Sequence, residues 1–276
     1  VRLYRNEPHW IRPLEKDIES VFDPDANKAF RHGECIRWIL LNDQDETIGR
    51  VAAFVNQKTV TKGNDQPTGG IGFFECINNQ DAAFLLFNQC REWLISKGME
   101  AMDGPVNFGN RDRWWGLLVE GFENEPNYLC NYNFPYYKDF FEAYGFQVYF
   151  YQFTFHRTVV GPLSPKLAIK AELAAKDSNY EFRHLRKDEL KKLPEYIHAV
   201  YNKAWANRFE NPELSLQQAR IIVKQMKPIM DRRLLYFGFY KGEPVSFFLS
   251  LPEINQIFKY VDGKLNLVGK IKLLWH

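Results

Sequence analysis

The sequence predicts an α/β (α+β) fold with two domains in tandem, each built on a mixed central sheet that is flanked by helices. Apolar strands alternate with helical stripes along the chain, which is the pattern of layered α/β domains. A strand, a polar turn and a second strand occur over residues 36–56 and again over 233–251, which indicates a repeated unit. With 276 residues, 45% of them hydrophobic, the chain is long enough to form two cores.

The first predicted domain covers residues 1–158. Its predicted strands are 36–41, 48–56, 71–77, 98–106 and 146–156, and its predicted helices are 81–97 and 135–144. Strand 71–77, IGFFECI, is continuously apolar, as in a strand that is buried on both faces. Helix 81–97 begins at Asn79 or Asp81, ends at Gly98 and carries an apolar stripe. The stripe consists of Ala83, Leu86, Phe87, Cys90, Trp93 and Leu94.

The second predicted domain covers residues 180–276 and follows a linker at 159–179, which contains two prolines and a short amphipathic segment. Its predicted strands are 180–185, 233–240 and 245–251, and its predicted helices are 188–206 and 215–226. The spacing of Ser215 and Gln218 predicts a capping box at the start of the second helix. A half-domain leaves an unpaired sheet edge, so we expect the second domain to be incomplete here and the natural chain to continue past residue 276.

Composition argues against several classes of protein. The 36 basic and 34 acidic residues are scattered, so we expect no positively charged face for nucleic acid. No apolar run approaches the roughly 18 residues of a membrane span, so we expect no membrane association. The four cysteines have no CxxC spacing and no histidine at ligand spacing, which predicts reduced thiols in a cytoplasmic protein and no metal site. Nothing in the sequence indicates an oligomeric state.

The stretch FFEAYGF, residues 140–146, resembles a signature of the GNAT superfamily of N-acetyltransferases, in which a helix ends in Leu-Tyr-x-x-x-Gly-Phe and a long strand follows. The strand IGRVAAF, residues 48–54, is similar to the third strand of that family. Strand 71–77 and helix 81–97 stand where its cofactor-binding strand and helix belong. Residues 180–251 resemble the first half of a second such domain. The resemblance implies a tandem GNAT-like protein.

This resemblance implies an acyltransferase that moves an acyl group from acetyl-CoA or another acyl-CoA to the amine of a small-molecule substrate. Ile77, Asn78 and Asn79 then take the cofactor-binding positions. The segment NNQDAA, residues 78–83, lacks the glycines and the arginine of the family's pyrophosphate loop, and Phe141 replaces the tyrosine that protonates the thiolate in many members. The first copy is therefore degenerate, and we expect residues 1–158 to bind acetyl-CoA weakly or not at all. The alternative is a non-catalytic ligand-binding or interaction protein.

The segment MDGPVNFGNRDRWWGLLVEGF, residues 102–122, combines glycines, an Arg-Asp-Arg run and two tryptophans. The resemblance places it after the strand that, in this family, splays from its neighbour to admit the acyl-pantetheine arm. We therefore predict a substrate-binding loop whose polar side chains converge on a cleft beside strand 71–77, with Asn107 and Arg111 outside the core. The alternative is a connector with solvated charges and one tryptophan in the core. The predicted substrate-binding residues are Asn107, Asn110, Arg111, Asp112, Trp114 and Trp115.

Glu75 and Tyr144 are the predicted catalytic residues. Glu75 stands in the middle of an apolar strand, where burial of a carboxylate favours use as a general base. The alternative is that Glu75 faces solvent or pairs with an arginine such as Arg50 or Arg111. Tyr144, like Tyr136 and Tyr137, offers a hydroxyl in place of the missing acid, and for each the alternative is a packing role.

Overall fold

The computed structural model describes residues 3–63, 65–205 and 213–275, and it has the predicted α/β architecture of mixed sheet flanked by helices. Its strands are β1 Gly33–Leu41, β2 Thr47–Asn56, β3 Thr68–Cys76, β4 Ala101–Asp103, β5 Tyr180–His184, β6 Leu235–Tyr240 and β7 Glu243–Leu249. Its helices are α1 Glu15–Phe22, α2 Gln80–Ser96, α3 Tyr136–Tyr144, α4 Pro165–Lys176, α5 Leu193–Trp205, α6 Leu216–Met226, α7 Asn255–Phe258 and α8 Leu267–Trp275.

The chain forms two compact units. The first unit is Val1–Tyr151 together with Glu253–His276, and the second is Gln152–Pro252. Residues 253–275 thus pack with the first unit, whereas the sequence predicts them in the second domain. The division into tandem domains at residues 158 and 180 stays a prediction.

The sheet of the first unit has the order β1-β2-β3-β4. Its first three strands are antiparallel, and β4 pairs with β3 in parallel, so the sheet is mixed. The predicted burial of β3 on both faces is confirmed, because most of its residues are buried. One face packs on α2 and α3, and the other packs on α1 and the loop that carries Phe108 and Trp114.

Helix α2 covers one face of this sheet with the predicted stripe. Phe87 and Cys90 have no exposed surface, and Phe87 stacks on Phe74 of β3 with ring centroids 4.8 Å apart. The Asn79 side chain accepts a hydrogen bond from the Ala82 N–H, so Asn79 is the N-cap. The predicted end is confirmed too, since Gly98 follows the helix with a φ of 76°.

The predicted strand 146–156 is wrong. Helix α3 ends at Gly145, as predicted, in the left-handed conformation, but the residues after it form no strand and no partner strand pairs with them in the described parts of the chain. Val148 and Tyr149, for example, are more than half exposed. Alternation of polar and apolar residues marks a candidate strand, whereas a strand also requires a hydrogen-bonding neighbour.

The second unit contains the antiparallel sheet β5-β6-β7. Lys241 and Gly242 connect β6 and β7, both with positive φ, which is the geometry of a tight hairpin turn. The capping box is confirmed: the Ser215 hydroxyl accepts from the Gln218 N–H, and the Gln218 side chain accepts from the Ser215 N–H. A core of leucines and phenylalanines lies between this sheet and α5.

Both hairpins that suggested a repeat are present, as β1–β2 and β6–β7. In the parts of the chain described above, no helix is long and apolar enough to cross a membrane. Within the same residues, His, Cys, Asp and Glu side chains form no group of three or more that could hold a metal ion. Cys35, Cys76, Cys90 and Cys130 are free thiols.

Substitution of Phe87 by alanine tests the packing of α2. Since Phe87 is fully buried among Phe74, Phe141 and Tyr144, F87A is expected to lower the free energy of unfolding by about 3–5 kcal/mol. The measurement is urea denaturation followed by circular dichroism. The control is Ile95→Ala on the same helix, which is 62% exposed and should change stability by less than about 0.5 kcal/mol. Equal effects of the two changes would contradict the assigned face of α2.

Candidate functional site

Strand β3 bulges in its second half. In the pairing with β2, Arg50 lies opposite Glu75 and Ala52 lies opposite Gly72. Phe73 and Phe74 therefore share the single position opposite Val51, which is the arrangement of a β-bulge. Phe73 has a φ of 52°, in the left-handed region that a phenylalanine rarely adopts. A bulge removes backbone groups from the sheet ladder and re-aims side chains, and such bulges are common beside active sites.

Strands β3 and β4 separate just before this bulge. Their parallel pairing joins Thr68–Gly70 to Ala101–Asp103 and extends no further. The chain after β4 remains close for one more contact, in which the Val106 N–H donates to the Ile71 carbonyl at 2.8 Å. Gly72 is required there, because a Cβ on it would lie 2.0 Å from the Val106 carbonyl oxygen. Beyond this point no backbone hydrogen bond joins the two segments in the described parts of the chain, so they splay apart.

A cavity of about 400 Å³ opens in this splay, within the first unit. Its floor is the bulged end of β3, and its walls come from the N-terminal segment, α1, the loop after β4, the segment 126–133, α3 and α7. The volume is in the range of small-molecule sites. Its charged and aromatic lining residues include Tyr4, Arg12, Glu15, Asp17, Arg50, Phe73, Glu75, Trp114, Tyr128 and Tyr137.

Two tyrosines of α3 hold the end of β3 at this cavity. The Cys76 N–H donates to the Tyr137 hydroxyl at 2.9 Å, and the Tyr136 hydroxyl donates to the Cys76 carbonyl at 3.0 Å. Tyr4 donates in turn to the Tyr137 hydroxyl at 3.3 Å. Burial, reinforced by the neighbouring Tyr4, raises the pKa of Tyr137 well above its usual range. Burial also raises the pKa of Tyr136 to about 12, so both hydroxyls keep their protons at neutral pH.

Glu75 forms an ion pair across the strands with Arg50, at 2.7 Å between Oε1 and the guanidinium. This is one of the alternatives that the sequence left open, and the register of β2 and β3 brings it about by placing the two residues opposite each other. Among the described residues, no hydrogen bond or ion pair engages the second oxygen, Oε2. Glu75 lines the cavity, so Oε2 is available to a ligand.

Aromatic rings form another part of the wall. Tyr4 is buried and stacks between Trp10 and Phe134, with ring centroids 5.2 Å and 4.7 Å away. Trp114 is also buried and packs at 5.7 Å on Phe73, the bulge residue. Flat apolar rings around a few fixed polar groups are typical of a site for an organic ligand.

The predicted substrate-binding loop divides between two places. Trp114 lines the cavity, whereas Asn107 and Arg111 line a second, much smaller cleft of about 20 Å³ at the start of β3. Asn107 is buried and donates to the Asn110 carbonyl at 2.9 Å, so its predicted position outside the core is wrong. Arg111 is exposed and lies 3.7 Å from Asp103. Burial, partly offset by Arg111, raises the pKa of Asp103.

The remaining predicted residues lie elsewhere on the first unit. Asn110 and Asp112 are exposed, and Trp115 packs at 5.5 Å on Phe150. Tyr144 donates to the Asn88 side chain on α2 at 2.7 Å and is not part of the cavity wall. Ile77, Asn78 and Asn79 form the turn into α2 outside the cavity, where the Ile77 N–H donates to the Ile48 carbonyl. Their roles stay predictions, and the geometry brings only Glu75 and Trp114 of the predicted set to the cavity.

Sequence reasoning missed the N-terminal wall and the segment 126–133. Tyr4 and Asp17 stand more than 50 residues before β3, and Tyr128 stands as far behind it. The one local signal is the alternation of aromatic residues with asparagines in NYLCNYNF, residues 127–134. Asn133 from this stretch is buried and bonds to both the N–H and the carbonyl of Leu118, which fixes the loop after β4.

Comparisons with known proteins found relatives over almost the whole chain. No protein-family model matches. The chain is 28% identical to the bacterial ceramide synthase of Caulobacter vibrioides over 279 aligned positions, which cover 99% of this chain and 71% of that protein. It is 23% identical to protein YghO of Escherichia coli over 276 positions, 99% of this chain and 69% of that protein. The match to a solved structure of a proposed acetyl transferase from Pyrococcus furiosus covers 52% of this chain and 76% of that chain, at 15% identity and a TM-score of 0.31.

Substitution of Tyr137 by phenylalanine tests the clamp on β3. Y137F keeps the ring but leaves the Cys76 N–H without its acceptor in a buried place, so the free energy of unfolding should fall by about 1–3 kcal/mol. Chemical denaturation measures this loss. Tyr151→Phe makes the same change on a side chain that is 65% exposed and should have no measurable effect. A stability of Y137F equal to that of the control would show that the hydroxyl does not hold the strand.

Proposed function

We propose that this protein is an N-acyltransferase of the GNAT-like kind, which transfers an acyl group from an acyl-CoA to an amine. The observation that carries the proposal is the cavity at the splay of β3 and β4, where a bulged strand, a carboxylate and a tyrosine hydroxyl meet an apolar wall. The relation to a bacterial ceramide synthase over 99% of the chain supports the same reaction class.

The substrate class follows from the name of that relative together with the cavity wall. A ceramide is the amide of a fatty acid with a long-chain amino alcohol, so its synthesis forms an amide bond beside long alkyl chains. The wall of Tyr4, Trp10, Phe73 and Trp114 offers rings to such chains. We therefore propose a long-chain amine as the acceptor and an acyl-CoA as the donor. Acetyl-CoA is the candidate donor with the shortest acyl chain.

The proposed reaction uses Glu75 as the base, the backbone at the bulge as the oxyanion donor and Tyr137 as the acid. Attack of the amine nitrogen on the thioester carbonyl releases one proton, which Glu75 accepts at Oε2. Backbone N–H groups at the bulge of Phe73 and Phe74 stabilise the negative charge that develops on the carbonyl oxygen. When the carbon–sulfur bond breaks, the departing sulfur takes a proton from the Tyr137 hydroxyl. The proton held by Glu75 then returns to Tyr137 through solvent, which restores both groups. Tyr136, Tyr137 and Tyr144 are the candidate acids, and of these Tyr137 lines the cavity. Its hydroxyl is hydrogen-bonded at the end of β3.

The turn into α2 does not fit the pyrophosphate of coenzyme A in the way the family pattern requires. The Asn79 side chain already takes the Ala82 N–H, and Asp81 adds a negative charge in the first turn, which is unfavourable for an anion. Phe141 is buried in the core and has no proton to give. These features support a first copy that has lost the usual phosphate loop, so the pyrophosphate of the acyl-CoA would bind to groups other than this turn. The tandem GNAT-like organisation and action on small molecules in the cytoplasm belong to the same proposal.

Substitution of Glu75 by glutamine tests the proposed base. E75Q keeps the shape of the side chain but cannot take a proton, so amide formation should slow by about 100-fold or more. The assay incubates the protein with palmitoyl-CoA and sphinganine. It follows the release of free thiol and detects the amide by mass spectrometry.

Arg50→Gln is the matched control, because it breaks the same ion pair and leaves the carboxylate in place. This variant should retain activity within about tenfold of the wild type. Equal losses of activity in both variants would assign Glu75 a purely structural role. If the wild-type protein forms no amide from any acyl-CoA and amine, the proposed function is refuted.

A further inference from the structure

We propose that Asp17 forms the subsite that binds the ammonium group of the acceptor at the cavity, an inference that rests on the proposed function and adds to it the recognition of the amine. Asp17 lies on α1 and borders the cavity. Its carboxylate accepts a hydrogen bond from the Tyr128 hydroxyl at 2.6 Å between that oxygen and Oδ2. Nothing in the sequence pattern singled out either residue.

Among the carboxylates that line the cavity in the described chain, Asp17 and the exposed Glu19 have no cationic partner. Glu75 is paired with Arg50 at 2.7 Å, and Glu15 is paired with Arg12 at 2.6 Å. In the described ranges of the chain, by contrast, no arginine, lysine or histidine lies within ion-pair distance of Asp17. A partly buried carboxylate gains most from a positive charge brought by a ligand, because water screens that attraction less than at the surface.

Tyr128 holds the carboxylate in position without neutralising it. Its ring packs on Phe258 with centroids 5.4 Å apart, and its N–H donates to Glu253 at 3.0 Å. Burial, and then the adjacent Asp17, raises the pKa of Tyr128 above its usual range, although Arg113 acts in the opposite direction. The hydroxyl therefore stays protonated at neutral pH and donates to Oδ2 of Asp17, while no hydrogen bond within the described residues engages Oδ1.

An alkyl ammonium ion matches this environment. A primary amine on an alkyl chain has a pKa near that of lysine, about 10.4, so it arrives protonated at neutral pH. The ammonium group meets Asp17, and the chain lies along the aromatic wall. Glu19 is another acid at this rim, but it is exposed to solvent, where an ion pair contributes little. After recognition the ammonium group gives one proton to solvent, and the neutral amine then attacks. The proton released by that attack is the one assigned to Glu75.

The test compares octylamine with octanol, two probes that share a chain and differ in charge. Calorimetry at neutral pH on the whole chain should show that octylamine binds at least about tenfold more tightly than octanol. Asp17→Asn should remove about tenfold of the octylamine affinity and leave octanol unchanged. Tyr128→Phe breaks the same hydrogen bond but keeps the charge, so it should retain the preference for the amine. Asp25→Asn, at an exposed carboxylate just after α1, should behave as wild type, and thermal denaturation checks that each variant is folded.

The outcomes separate this subsite from the proposed function. Equal binding of the two probes to the wild type, unchanged octylamine affinity in D17N, or an equal loss in Y128F would overturn the subsite. If D17N loses the amine preference while the wild type forms no amide with any acyl-CoA, the subsite stands and the acyltransferase proposal fails. If the wild type forms the amide and D17N has the same KM for sphinganine, the function stands and the subsite is wrong.

Discussion

The early end of the pairing between β3 and β4 determines the shape of the candidate site. The two parallel strands share three residue pairs, from Thr68 with Ala101 to Gly70 with Asp103, and then separate. A backbone that leaves a sheet still needs partners for its N–H and carbonyl groups. The side chains of Tyr136 and Tyr137 supply them at Cys76, so the gap between the strands remains open beside the bulge and becomes a cavity.

Aromatic packing borders this gap on the side of the N-terminal segment. Tyr4 stacks between Trp10 and Phe134, and its hydroxyl reaches Tyr137, so the N-terminal segment is tied to the same tyrosine that caps β3. A site that must place a carbonyl carbon near a carboxylate and a hydroxyl requires groups whose positions are set before the ligand binds. In this molecule the positions of Glu75 and Tyr137 both depend on β3, the first by cross-strand register and the second by a hydrogen bond to its backbone.

Local patterns predicted the elements but only part of the site. The stripe on α2, the cap at Asn79 and the burial of β3 depend on neighbours within a few residues, and each is confirmed. The strand expected over 146–156 failed because pairing depends on a distant partner. The sequence did not predict the cavity wall for a similar reason. Residues 4–19, 126–133 and 255–258 are far apart in the chain and come together only in the folded protein. The ion pair between Glu75 and Arg50 was predicted only as one of several alternatives. Neither strand alone determines the register of β2 and β3 that places the two residues opposite each other.

Photochemical labelling with a long-chain amine that carries a diazirine at the chain end tests directly whether this cavity is the substrate site. After irradiation of the whole protein, peptide mass spectrometry locates the adducts, and an excess of unlabelled sphinganine serves as competitor. If the cavity is the substrate site, competed adducts should lie on peptides that contain Trp10, Phe73, Trp114 or Tyr128, all of which line the cavity. Competed adducts confined to peptides that contribute nothing to the cavity would contradict it.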